Sequence, residues 1–157
     1  MRSRVRAFLA QEREAGGYVA HSNAWMTYDA GFTRRCGEAG FIGLTLPREY
    51  GGHGRSAVER YVVYEEMLAA GAPLGMHWIA DRQSGPQILR HGSELARTTV
   101  LPRIAEGTCG IGIGMSEPDV GSDLASVRTR ATRCDGGWRL AGTKLWTSHA
   151  QRAQYVI

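Results

Sequence analysis

Lysine is almost missing from this sequence: of 19 lysine and arginine residues only Lys144 is a lysine. The arginines are scattered among 15 acids instead of forming a run, and no basic stretch interleaves with aromatics, so the net charge of +4 does not describe a nucleic-acid surface. Cysteine is also scarce. Cys36, Cys109 and Cys134 are odd in number, far apart and never in a C-x-x-C pair, which argues against a disulfide framework and a structural zinc site. Buried or half-buried thiols in a reducing cytoplasm are expected instead. The five histidines, His21, His53, His77, His91 and His149, have no ligand spacing, so no metal is expected. No apolar stretch approaches the roughly 18 residues of a membrane span, and the start at Arg2, Arg4 and Arg6 has no signal-type apolar region behind it. A cytoplasmic protein with no membrane span is expected. No G-x-S-x-G nucleophile elbow is present, and the G-x-G-x-G at Gly110–Gly114 lacks the strand–turn–helix context of a dinucleotide fingerprint.

What is there is a globular mixture, 43% hydrophobic and 22% charged. A chain of this size buries roughly 70% of its unfolded surface and needs no covalent staples. The weak positive field suits a phosphate-bearing ligand such as a nucleotide or coenzyme A.

The pattern changes character near residue 108. Before it, apolar residues recur at helical spacing. Val5, Phe8 and Leu9, followed by Glu12 and Glu14, predict an amphipathic first helix, and a second is expected within 23–39. Ser56 with Glu59 forms a capping box for a helix whose broad face is Val58, Tyr61, Val62, Met67, Leu68 and Ala69, stopped by Gly71 and Pro73. Pro86 suits the first position of a helical unit ending at Gly92, and Ser93 caps a further helix expected to end before Pro102. The glycines and proline of G-F-I-G-L-T-L-P-R-E-Y-G-G, at 40–52, forbid continuous helix there. After residue 108, G-I-G-I-G-M predicts a strand whose glycines let something approach its backbone. Strands over 127–134 and 138–141 flank a hairpin turn at Asp135-Gly136, and another begins at 153–157. Such a sheet has an open edge and an uncovered apolar face, so the C-terminus reads as severed.

Four landmarks carry a family resemblance: G-F-I-G-L-T-L-P-R-E-Y-G-G, L-P-R-I-A-E-G-T at 101–108, M-S-E-P-D-V-G-S-D at 115–123, and G-T-K-L-W-T-S-H-A at 142–150. In order and spacing they resemble the acyl-CoA dehydrogenases, flavoproteins that desaturate acyl-CoA thioesters. The resemblance covers almost the whole chain. It implies an α+β fold, with an all-helical N-terminal domain over 1–108 and the beginning of an antiparallel, barrel-like middle domain over 109–157. The C-terminal helical bundle of the family is absent from the sequence.

The resemblance also implies roles. Met115 and Ser116 would meet the flavin of FAD, Ser116 with its hydroxyl and backbone. Trp146 would lie against the flavin ring, and Ser148 would place a hydroxyl near the ring nitrogen that accepts hydride. Ser122 would bind the coenzyme A part of the substrate. Read from the residues alone, backbone groups flanked by glycines are free to meet a flavin's carbonyl and imide edge. Trp146 as a core aromatic, Ser116 and Ser148 as strand hydroxyls and Ser122 as a turn residue are the structural alternatives. Pro118 and Gly121 would shape the turn, Asp123 would bond local backbone amides, and Glu117 would be structural and not a base. The sequence departs from the family pattern at Asp119-Val120, where glycine and a small residue are usual, at W-T-S, where W-I-T is frequent, and at His149, where asparagine is frequent.

The reaction implied is α,β-dehydrogenation, with electrons passing to an electron-transfer flavoprotein and an oligomeric complete enzyme. The base, a glutamate of the family's C-terminal domain, is not among these residues. Three readings stay open: a fragment or split half of an acyl-CoA dehydrogenase; an acyl-CoA oxidase or flavin monooxygenase of the same fold; and a non-catalytic subunit or decayed copy.

Overall fold

The computed structural model describes residues 1–157. Helix α1 (Arg2–Glu14) buries Val5 and Leu9, and α2 (Ala30–Glu38) starts on Asp29, whose carboxylate accepts the Phe32 amide at 2.8 Å. The second expected helix thus occupies only the latter part of its window, after a single 3-10 turn at Ala24–Met26. Phe8 links the two helices to the loop that follows, its ring centroid 6.1 Å from Phe32 and 5.2 Å from Phe41. Side chains as enclosed as Phe32 and Phe41 each contribute about 1.5–3 kcal/mol. In the 40–52 loop, Gly43 takes φ +69°, and a Cβ there would sit 2.6 Å from that of Ala105, so only glycine lets the loop lie on the next layer.

Helix α3 (Ala57–Ala69) has the expected capping box, and of the expected face Met67 is buried, but Val63, Tyr64 and Glu66 turn inward with it while Val58, Tyr61 and Leu68 are exposed. Apolar residues surround most of this helix, so periodicity could not choose the side; the polar partners chose it. Tyr64 donates to the buried Asp81 at 2.6 Å, and Glu66 accepts from Arg6 of α1 at 2.6 and 3.1 Å and is also bonded by Arg2.

Short α4 (His77–Ile79) runs through a π-helical turn, Ala80–Ser84, into α5 (Gly85–His91). Pro86 is therefore the second residue of α5 within a continuous helical run, not the start of a separate unit. Helix α6 (Glu94–Ala105) begins on Ser93, whose hydroxyl accepts the Ala96 amide, and continues through Pro102. The expected stop there is overridden. An interior proline costs about 3 kcal/mol, yet Leu101, Ile104 and Ala105 bury their side chains beside it, and the Pro102 carbonyl still accepts from Glu106 at 2.9 Å.

The remaining residues form two two-stranded sheets and no closed barrel. Strand β1 is only Ile111–Gly112 and pairs in parallel with β4 (Tyr155–Val156), where an antiparallel arrangement was expected. The antiparallel pair is β2 (Arg130–Cys134) with β3 (Gly137–Ala141), joined at Asp135-Gly136 as the sequence predicts. The register places Ala131, Arg133, Trp138 and Leu140 on one face, where Trp138 is 68% and Leu140 75% exposed. Cys36 and Cys109 are buried, but Cys134, at the end of β2, is exposed. No helix is long and apolar enough to cross a membrane.

Candidate functional site: a strand and a turn stapled by Glu117

The chain leaving β1 runs Ile113, Gly114, Met115, Ser116 and then folds into a tight turn. Glu117 and Val120 exchange backbone hydrogen bonds, 2.8 and 3.1 Å, across Pro118-Asp119. Pro118 thus sits in the turn as expected, and Gly121 follows it. Alongside passes the segment 143–148. The Leu145 amide donates to the Ser116 carbonyl at 2.8 Å, and the Lys144 Nζ donates to the Met115 carbonyl at 3.0 Å. The glycines of G-I-G-I-G do permit close approach, and what approaches is the chain itself: a Cβ on Gly112 would lie 3.0 Å from Thr147 Cγ2, and one on Gly114 3.3 Å from Lys144 Cγ.

Glu117 fastens these pieces together. Its buried carboxylate accepts from the amides of Arg128 and Thr129 at 2.7 and 2.9 Å and from Lys144 Nζ at 2.9 Å. Hydrogen bonding from Thr129, then the Arg128 amide, then Lys144 holds its pKa down to about 2. A carboxylate so stabilised as an anion is a poor proton acceptor near neutrality. Asp119, at the tip of the turn, is exposed and pairs with Arg128 at 3.5 Å, so the charge that replaces the family's usual glycine is answered within the chain. Asp123 accepts from the Ser126 hydroxyl through its carboxylate and from the Ser126 amide through its carbonyl. The expected side-chain bond to backbone amides is replaced by one to a hydroxyl.

Of the residues singled out from the sequence, Met115, Ser116, Trp146 and Ser148 lie on these two adjacent segments. Met115 is exposed, Ser116 and Ser148 are half-buried, and Trp146 is 87% exposed with φ +59°. The backbone amides of Met115, Ser116, Trp146, Thr147 and Ser148 donate to no acceptor of the chain. Ser122 stands apart, exposed in the bend after the Glu117 turn and hydrogen-bonded to neither segment. His149 also has positive φ, +58°. Its ring lies 5.7 Å from Tyr28, and a Cβ on Gly75 would be 2.8 Å from its Nε2, so it fills the space that glycine leaves. Arg152 covers the Tyr28 ring from 4.9 Å. Lys144 and His149 were not singled out as site residues; the signal for the first was its being the one lysine in the sequence.

An exposed indole, unpaired amides and two hydroxyls, all on two hydrogen-bonded segments, offer the groups that a planar heterocycle with carbonyl acceptors such as a flavin requires.

Residues 1–108 match the family model for the N-terminal domain of acyl-CoA dehydrogenase, and residues 112–157 match that for its middle domain. The chain belongs to the acyl-CoA dehydrogenase family. It is 40% identical over 120 residues to acyl-CoA dehydrogenase FadE26 of Mycobacterium tuberculosis, covering 76% of this chain and 30% of that protein. Among solved structures it is similar to the ChsE4-ChsE5 complex from Mycobacterium tuberculosis, with TM-score 0.79, 35% identity and coverage of 99% of this chain and 39% of that one. It is similar also to a glutaryl-CoA dehydrogenase from Mycobacterium smegmatis in complex with FADH2, with TM-score 0.78, 29% identity and coverage of 99% and 40%. The chain therefore spans about a third of the length of the curated relatives it matches.

Proposed function

We propose that this chain serves as the helical domain, over 1–108, and the flavin-facing β portion, over 109–157, of an FAD-dependent acyl-CoA dehydrogenase that desaturates an acyl-CoA thioester in lipid metabolism. The observation that supports the reading is the hydrogen bond from the Leu145 amide to the Ser116 carbonyl, which joins the segment bearing the exposed Trp146 to the one bearing Met115 and Ser116. Met115, Ser116, Trp146 and Ser148 would hold FAD, which supplies the acceptor for the hydride leaving the β-carbon. The Trp146 indole offers a flat apolar surface, the amides offer donors to ring carbonyls, and the Ser148 hydroxyl favours negative charge near the ring. Ser122, exposed beyond the turn, would hydrogen-bond the coenzyme A part.

The base comes from outside these residues. Glu117 is committed to three donors and Asp119 to Arg128, so neither carboxylate of the turn is poised to take an α-proton. The β2–β3 hairpin exposes Trp138 and Leu140 on one face, and an isolated two-stranded hairpin is marginally stable, which fits its being covered by the rest of the enzyme. An electron-transfer flavoprotein as acceptor and an oligomeric assembly belong to the same proposal.

The test is flavin retention. The chain alone is expected to hold FAD weakly and to show no turnover of acyl-CoA with a dye acceptor, and a complementary half is expected to restore both. Turnover by the unaccompanied chain would overturn the assignment of the base. Failure of every complementary half to raise flavin retention would overturn the flavin site.

A further inference from the structure

The π-helical turn Ala80–Ser84 has a sidedness that its sequence does not announce. Asp81 and Ser84 are fully buried, and Asp81 is fixed by the Gly43 amide at 3.0 Å and by the Tyr64 hydroxyl at 2.6 Å. With Asp81 anchored and Ser84 buried on the inner side, the wide turn presents Arg82 and Gln83 on the outside. They line a cleft of about 390 Å³ whose opposite wall is Ile113, Met115 and Ile157. That volume lies within the range of small-molecule sites, and π-helical turns recur at functional positions.

The two walls differ in chemistry. Ile113, Met115 and Ile157 are apolar, whereas the helical wall carries Arg82, the one charged residue in the lining. The Arg82 guanidinium lies 4.7 Å above the Trp78 ring, which restricts its plane, and no carboxylate of the chain pairs with it. An oriented guanidinium with its donors free is suited to a bidentate carboxylate. Met115 belongs at once to this cleft and to the flavin-facing segment, while Ser122 does not line it. On the dehydrogenase reading, that connection assigns the cleft to the acyl arm of a substrate and not to its coenzyme A arm.

We propose, resting on the dehydrogenase reading above, that the cleft selects acyl groups ending in a carboxylate: the methylenes lie along Ile113 and Met115, and the terminal carboxylate is held by Arg82 with the Gln83 amide beside it. Arg82 is a specificity-determining residue and takes no part in proton or hydride transfer.

Isotope-labelled full chain titrated with two S-acyl pantetheines of equal length, one ending in carboxylate and one in methyl, tests this by NMR. The carboxylate probe should bind about tenfold more tightly, the scale of a charge-assisted hydrogen bond, and should shift the Arg82 Nε–H and the Gln83 side-chain amide. Arg82→Met, which keeps the stem on Trp78, should abolish the preference without weakening the methyl probe; Arg82→Lys should retain part of it. Equal affinities with shifts at Ile113 and Met115 would overturn the proposal and leave the dehydrogenase reading standing. So would a preference that survives Arg82→Met, or a methyl-ended acyl-CoA whose binding falls with Arg82→Met, since the arginine would then serve the coenzyme's phosphates. If neither probe shifts Ile113 or Met115, the acyl site itself is misplaced and both readings fail.

Discussion

Lys144 reaches Glu117 at 2.9 Å, and in doing so the chain's one lysine ties the segment before Trp146 to the turn after Ser116. The same ammonium donates to the Met115 carbonyl. Lysine is suited to this place because its compact head and rotatable donors serve two acceptors at different angles, whereas the planar fork of arginine favours one carboxylate.

Glu117 makes the region acid-sensitive. Its pKa is depressed from 4.5 to about 2, so its contribution to stability is complete above the ordinary carboxylate range and is lost as pH falls through about 2. Glu117→Gln should lower the unfolding midpoint at pH 7, and the gap to the parent should narrow steadily between pH 4.5 and pH 2. A gap that stays constant over that range in thermal melts would show that the charge is not what stabilises the turn.

Tyr64 and Asp81 form a buried pair at 2.6 Å, with burial raising the pKa of both groups. Tyr64→Phe leaves Asp81 with the Gly43 amide and should cost about 1–3 kcal/mol in urea unfolding. It should also displace Arg82, because Asp81 fixes the turn on which that residue stands; a change in Arg82 side-chain resonances is the check.

His149 occupies the left-handed region, which asparagine and histidine tolerate better than most residues and β-branched side chains tolerate poorly. His149→Asn, which loses the ring beside Tyr28 but keeps a residue tolerant of this backbone, should lower the midpoint of unfolding less than a β-branched substitution does. His149→Val should cost about 1–2 kcal/mol and release Tyr28, measured by denaturant unfolding of the two variants side by side.

Trp146 is exposed, so Trp146→Ala should leave stability within about 0.5 kcal/mol while weakening flavin retention in the reconstituted enzyme. Unchanged retention would place the ring elsewhere. Ser122→Ala should act on substrate affinity instead, raising the half-saturating concentration of acyl-CoA by the equivalent of about 1 kcal/mol with flavin content unaltered.

Local signals were legible where one segment decides its own conformation. The Ser56–Glu59 box, the Ser93 cap and the Asp135-Gly136 turn all form where the residues say they should, because each is settled by contacts within a few positions. The inward face of α3 and the passage of α6 through Pro102 were not legible. The first depends on Asp81 and on the arginines of α1, distant in sequence, and the second on burial of Leu101 and Ile104 against other layers. The pairing of β1 with β4 is likewise a relation between residues far apart, and a two-residue strand carries too little pattern to announce whether its partner runs parallel.

By itself the sequence determined the family, the order of the helices and the segments bearing the candidate flavin residues, since motifs and caps are properties of neighbouring residues. Tertiary structure alone decided that the Ser116 carbonyl meets the Leu145 amide next to Trp146, that Ser122 is hydrogen-bonded to neither segment, and that Arg82 and Met115 line one cleft. Those relations rest on hydrogen bonds and packing between segments separated by tens of residues, and no periodicity within a segment encodes them.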